Sequence, residues 1–253
     1  MPDPDADPIV PPLKARVGIV LPPANPVVEE EMRALLPPTV RLHATRLPPI
    51  SGDLQVRTDR YVDHYPDMVR SFGDLALDAI LIAQTGASYR LLPEGDRALN
   101  RDLTALRGAP VETVSISILE ALRALGADSV WLLSPYPRWL TERSARYWAA
   151  AGLRVRGVTQ MADAFVAYTM STDGVVAALR QLDVPHGVPV LMSGTGMTTL
   201  DAIRLAAPAM ASPLLSSNLC GAWSLLRRLG VPQVPGTFDR LAPGLLGTLT
   251  RQS

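Results

Sequence analysis

The sequence predicts an α/β fold of two similar lobes, each built on a mainly parallel four-stranded sheet, with a ligand cleft between them. Short apolar runs alternate with helical patterns, which implies parallel strands joined by right-handed crossovers. That alternation occurs twice. Two glycine turns mark corresponding points of the two passes: Thr85-Gly86 and Thr195-Gly196 lie 110 residues apart. Leu21-Pro22-Pro23 and Leu133-Ser134-Pro135 lie 112 apart. A pseudo-twofold relation follows, with a first lobe over 15–126 and a second over 127–230, forming one compact unit. A mobile tail is expected over 1–14 and an irregular C-terminal tail over 231–253.

Each element has its own signal. Residues 15–21 are apolar and compact, a first strand. The turn at 22–26 is proline-rich, and Pro26 suits the first turn of a helix to about residue 36, with Glu29, Glu30 and Glu31 at its positive end. Residues 40–47 alternate as a strand; 48–58 read as a loop and 59–77 as a helix, with Tyr61, Tyr65 and Phe72 on its core face. A strand over 79–83 ends at Gln84-Thr85-Gly86. A helix over 94–106 and a strand over 111–114 follow, and Ser117 is placed to cap a helix that stops at Gly126.

The second pass gives a strand at 130–133, a helix over 138–151 and a strand over 154–160. A helical stretch spans 163–182, with a break near Gly174. A buried strand at 188–193 carries the second glycine turn, with Thr198 or Thr199 as cap of a helix from Leu200. The last strand covers 214–217, and a helix runs to Gly230.

Composition narrows the function. The 253 residues are 47% apolar, and Lys plus Arg equals Asp plus Glu at 24 each. Balanced charge without a basic run argues against a nucleic-acid surface or a polybasic membrane anchor. No apolar run reaches transmembrane length. Residues 1–12 lack the basic-then-apolar signal pattern. Cys220 is the one cysteine, so no intramolecular disulfide or cysteine zinc cluster forms; this fits a reducing cytoplasm. His43, His64 and His186 show no ligand spacing, and no metal site is assigned. Oligomeric state is left open, a homodimer included.

The glycine turns are the candidate site. Gly86, Gly194 and Gly196 let backbone N–H groups approach a ligand, and a strand end meeting a helix N-terminus suits a carboxylate. Thr85 and Thr195 add hydroxyls at matching positions.

With these residues in place, the sequence resembles the aspartate/glutamate racemase superfamily, in the branch of maleate cis–trans isomerase and arylmalonate decarboxylase. The resemblance covers roughly residues 15 to 230. It rests on Gly18-Ile19-Val20-Leu21-Pro22-Pro23-Ala24-Asn25-Pro26 with Glu29, Glu31 and Met32, on Thr45-Arg46-Leu47, and on 115–126, 193–203 and 216–223. It implies chemistry on small carboxylates without a metal or organic cofactor. The family's one or two catalytic cysteines match Gln84 and Gly194 here, so neither thiol is present. What the resemblance carries over is binding: Asn25, Thr85, Gly86, Gly194, Thr195 and Gly196 for the substrate, with Tyr136 and Gln84 as the catalytic candidates. Tyr89-Arg90 is a candidate closure over an anion, and Cys220 a remote candidate acid.

The expected function is a cofactor-independent isomerase or decarboxylase-like lyase on a small mono- or dicarboxylate, working without a thiol. Two other classes stay in view. One is a catalytically retired carboxylate-binding protein; the other is a hydrolase or hydratase in which Gln84 positions water.

Overall fold

The computed structural model describes residues 10–249. Residues 1–9 of the tail expected over 1–14 lie outside them, as do 250–253. Within 10–14 the chain is tied down: Lys14 N–H donates to the Thr39 carbonyl at 2.8 Å, and the Arg41 guanidinium donates to the Pro11 carbonyl.

The first half runs β1 (Ala15–Leu21), α1 (Val28–Leu35), β2 (Val40–Arg46), α2 (Leu54–Arg70), β3 (Ala79–Ile82), α3 (Thr85–Ser88), α4 (Leu92–Arg107), β4 (Val111–Thr113) and α5 (Val114–Ala124). The second runs β5 (Ser129–Ser134), α6 (Arg138–Ala150), β6 (Arg154–Gln160), α7 (Thr172–Arg180), β7 (Val190–Met192), α8 (Leu200–Ala206), β8 (Leu214–Ser216) and α9 (Ser217–Leu229). Two short helices, α10 (Phe238–Leu241) and α11 (Pro243–Leu249), close the described chain.

The sheets are ordered β2-β1-β3-β4 and β6-β5-β7-β8, every pairing parallel. This is the same topology twice, as the repeat predicts. In each, the first strand of its half and the glycine-turn strand lie at the centre, so the two turns leave from the middle of their sheets. One continuous apolar core spans both sheets. Helices α5 and α9 pack together between the halves. There Gly221 lets α9 approach β3, since a Cβ at that position would sit 2.7 Å from Leu81 Cδ2.

Boundaries differ from the sequence reading where a cap outweighs the pattern. Helix α2 begins at Leu54, not 59, because the Asp53 carboxylate accepts from Val56 N–H at 2.8 Å. It ends at Arg70, before Gly73, whose φ of +55° belongs to glycine. Ser117 lies inside α5 and caps nothing; its hydroxyl donates to Glu112. The helix expected from 163 exists only from Thr172, capped by Ser171, with Gly174 supplying the capped N–H at 3.2 Å. Residues 161–170 are irregular instead. The tail expected to be irregular after 230 contains α10 and α11, with Phe238 and Leu245 fully buried.

Among the described residues no helix is long and apolar enough to cross a membrane.

Candidate active site

The ends of β3 and β7 meet. The Thr85 hydroxyl donates to the Ser193 carbonyl at 3.2 Å, and the Thr195 hydroxyl donates to the Ala83 carbonyl at 3.1 Å. Each threonine satisfies the backbone oxygen that ends the other half's strand. Behind them, the Asn25 amide donates to Thr195 Oγ1 at 3.2 Å while its oxygen caps α1 through Val27 N–H and Val28 N–H. Tyr89, buried beneath, also donates to the Ser193 carbonyl, at 3.4 Å.

A cavity of about 90 Å³ opens where these turns face each other. Gln84, Gly86, Tyr136, Thr195 and Gly196 line it. Asn25 and Thr85 stand behind the wall, bonded to Thr195 and Tyr136. Gly194 does not line it, because a Cβ there would point to Pro135 Cγ at 2.7 Å. The glycines at 86, 194 and 196 have no left-handed backbone; their requirement is space. At Gly196 that space is filled by the Tyr168 ring, 2.3 Å from where a Cβ would be.

Hydrogen-bond direction decides what the cavity offers. Gln84 Oε1 accepts from Ala87 N–H at 3.1 Å, which fixes the amide's orientation. Among the described residues the Nε2 group has no protein partner, so Gln84 brings a donor to the cavity. The backbone N–H groups of Gly86, Thr195 and Gly196 likewise have no protein acceptor among the described residues. Tyr136 OH lies 2.9 Å from Thr85 Oγ1. With the Thr85 proton on Ser193, the phenol donates to Thr85; with that proton turned to Tyr136, the phenol is free to donate into the cavity. Burial pushes the Tyr136 phenol well above its ordinary range, which keeps it protonated.

Several contributors were missed. Phe165 stacks on Tyr136, with centroids 6.0 Å apart, and Tyr168 meets Phe165 edge-on. Both come from the irregular segment 161–170, where a helix was expected. Tyr61, read as a core residue, lines the cavity with Arg57 and Thr58. Glu31 of α1 reaches across to the second half, where its carboxylate accepts from Leu200 N–H at 3.0 Å, from Thr199 N–H and from the Thr199 hydroxyl. It therefore caps α8, a task expected of Thr198 or Thr199; Thr199 holds the N-cap position, but its side chain makes no cap bond. Asn218 joins it, donating to Glu31 at 2.7 Å and to the Thr195 carbonyl at 3.1 Å. Burial raises the Glu31 carboxyl from its ordinary range, against the opposing pull of those donors.

Two further expectations fall away on geometry. Tyr89 is a buried brace and Arg90 pairs with Asp63 at 3.3 Å, so neither closes over the cavity. Cys220 is buried inside α9 away from the cavity lining, and burial pushes its thiol up.

The model of the arylmalonate decarboxylase family matches residues 17–242. The chain belongs to this family. It is thus an enzyme of the aspartate/glutamate racemase superfamily, of the isomerase or lyase kind. The maleate isomerase of Nocardia farcinica (strain IFM 10152) is 29% identical over 240 residues, 87% of this chain and 93% of that protein. The arylmalonate decarboxylase of Bordetella bronchiseptica is 27% identical over 226 residues, 85% and 90% of the two. A crystal structure of the maleate isomerase Iso from Pseudomonas putida S16 superposes with a TM-score of 0.82 at 20% identity, covering 93% of this chain and 99% of that one. A cysteine-to-serine variant of the Nocardia farcinica maleate cis–trans isomerase, carrying a covalently bound succinylcysteine intermediate, gives a TM-score of 0.81 at 26% identity, covering 94% and 99%.

Proposed function

We propose that this family member is a cofactor-independent isomerase or decarboxylase-like lyase that acts on a small carboxylate without a thiol. The observation that carries the reading is the chemistry of the cavity wall: several hydrogen-bond donors, one phenol with a relay partner, and no cysteine. A substrate carboxylate binds the N–H groups of Gly86, Thr195 and Gly196 together with Gln84 Nε2. Those donors favour the dianion that forms when a bond next to the carboxylate breaks, because they are already aimed at the developing charge. Asn25, Thr85 and Thr195 hold the donors in place through the hydrogen bonds that join the two strand ends. An enolate-like dianion is a far stronger base than a phenolate, so Tyr136 delivers the proton and Thr85 turns its hydroxyl to the phenolate left behind. Water replaces the proton on Tyr136 once product leaves.

A hydratase in which Gln84 orients water is less well supported, since the amide oxygen such a role uses is held by Ala87 N–H. The test is a product screen by proton NMR in deuterated water with maleate, aryl- and alkylmalonates and amino-dicarboxylates. Turnover of at least one, with solvent deuterium in any decarboxylation product, is the expected result. No turnover of any, with tight carboxylate binding retained, would favour a retired binding protein instead.

A further inference from the structure

Three acids are buried among the described residues: Glu31, Glu112 and Asp96. Two of them are held by donors that cannot turn round to accept. Glu31 takes the N–H groups of Thr199, Leu200 and Asn218, and Glu112 is paired with Arg228 at 2.6 Å. Asp96, fully buried on α4, makes no ion pair among the described residues. Its three side-chain partners are all hydroxyls: Tyr147 at 2.7 Å, Thr113 at 2.9 Å and Ser88 at 3.3 Å. A hydroxyl donates to a carboxylate and accepts from a carboxylic acid, so this shell satisfies both forms of Asp96. The Tyr65 hydroxyl, buried without a partner among the described residues, is close enough to feel the same charge.

Asp96 stands behind both glycine turns. Ser88 is the last residue of α3, which begins at Thr85 and Gly86, so about 6 Å of helix separates the turn from the carboxyl's partner. On the other side the Tyr147 ring lies 5.5 Å from that of Tyr89, whose hydroxyl donates to the Ser193 carbonyl. The titratable and charged groups that bear on Asp96 are Tyr65 of α2, Tyr89 after α3, Tyr147 of α6 and Arg97 of its own helix, while β4 presents Thr113. Burial raises all three phenols, which keeps them protonated, and raises Asp96 to about 6 against the pull of the hydroxyls and of Arg97. Asp96 is thus the member of this group that titrates near neutrality.

We propose that Asp96 takes up a proton from solvent when a carboxylate enters the glycine turns, so that the anion and the proton arrive together and the buried charge of the site is unchanged. The inference rests on the reading that the turns hold that carboxylate. An anion there lies roughly 10 Å from a second buried negative charge whenever Asp96 is ionised. At an effective dielectric of about 20, a unit charge at that distance moves a titration midpoint up by about one pH unit. Asp96 touches no ligand and acts through its charge alone. Its neutral form is the one in which the turns bind an anion best, and it opposes least any further negative charge that develops on the substrate.

Phenylacetate and benzoate, monoanions from about pH 5.5 to about 8.5, are the probes. Calorimetry on the full chain in buffers of different ionisation heat counts the protons bound with each acid. Wild type is expected to take up about half a proton per ligand near pH 6.5, and to lose about tenfold in affinity across that range. Asp96→Asn, with folding checked by circular dichroism, should take up none and bind about tenfold more tightly than wild type at the alkaline end. A merely structural role does not tighten binding. Wild type labelled with carboxyl-13C aspartate gives a second reading that needs no variant and leaves Glu31 silent. Its highest-titrating carboxyl should move up by about one pH unit when phenylacetate saturates the site. Proton release, no uptake, an unmoved aspartate titration, or uptake that persists in folded Asp96→Asn overturns the role of Asp96 alone. Failure of both acids to bind wild type overturns the turn-centred site and this coupling together.

Discussion

Thr85 and Thr195 are joined through reciprocal bonds: each hydroxyl donates to the carbonyl at the end of the strand that leads to the other, at 3.2 and 3.1 Å. The cavity sits where these two bonds clasp the halves together. Both hydroxyl protons are engaged by the protein.

Removing the Thr195 hydroxyl leaves the Ala83 carbonyl and the Asn25 amide without their partner. Thr195→Ala should lower stability by about 1–3 kcal/mol, the cost of buried polar groups left unpaired. It should also weaken carboxylate binding by roughly tenfold as the turn loosens. Thr195→Ser should cost less in both. Urea unfolding and calorimetric titration read the two effects separately.

Restoring a thiol at position 194 is not free. A Cβ there meets Pro135 Cγ at 2.7 Å and Met197 at 3.3 Å. Gly194→Cys should destabilise the fold by about 1–3 kcal/mol, an overpacking cost. Gly196→Val should do worse for binding, because Tyr168 must leave its place against the turn. Crystal structures and unfolding curves of both variants check this. Unchanged stability in Gly194→Cys would mean that the Pro135 ring yields easily.

Asp96 gives a pH dependence of definite sign. Its buried carboxyl accepts from Tyr147 at 2.7 Å, Thr113 at 2.9 Å and Ser88 at 3.3 Å, yet burial outweighs them and raises it to about 6. An acid raised in the folded state binds its proton more readily there than in the unfolded chain. Its contribution is therefore fully present below about 3.8 and is lost as pH rises to about 6. The loss is of the order of 3 kcal/mol across that window. Glu31 acts in the same direction. Asp96→Asn should flatten the slope of stability between pH 4 and 7, whatever it does to the absolute value. Urea unfolding at several pH values is the measurement, and an unchanged slope would remove Asp96 from the account of acid stability.

Cys220 should be chemically silent in the folded enzyme. Iodoacetamide should label it only on unfolding, because it is buried in α9 and its thiol is pushed up. Mass spectrometry before and after denaturation reads the labelling directly.

The repeat made the fold legible, because strand–turn–helix order is local information and its recurrence at a nearly constant offset implies two equivalent sheets. The meeting of residues 85 and 195 followed from that. Two kinds of contributor were hidden. Glu31 looks like an acid in the first turn of its own helix, and nothing local says that it caps α8 in the other half. Phe165 and Tyr168 lie in a stretch whose composition suits a helix; Ser171 starts the helix later and leaves them over the cavity. The glycine at 194 was legible as a turn residue, but its neighbour Pro135 comes from a different strand end. The direction in which the Thr85 and Thr195 hydroxyls donate depends on partners more than 100 residues away.

On the proposed reading, proton delivery belongs to Tyr136 and not to a thiol. It is tested most directly by turnover in deuterated water, followed by proton NMR, for wild type, Tyr136→Phe and Cys220→Ala on whichever carboxylate the product screen identifies. The expected result is a loss of about 100-fold or more in Tyr136→Phe, with Cys220→Ala within a few-fold of wild type. A folded Tyr136→Phe enzyme as fast as wild type, or a Cys220→Ala enzyme that is inactive, would contradict it.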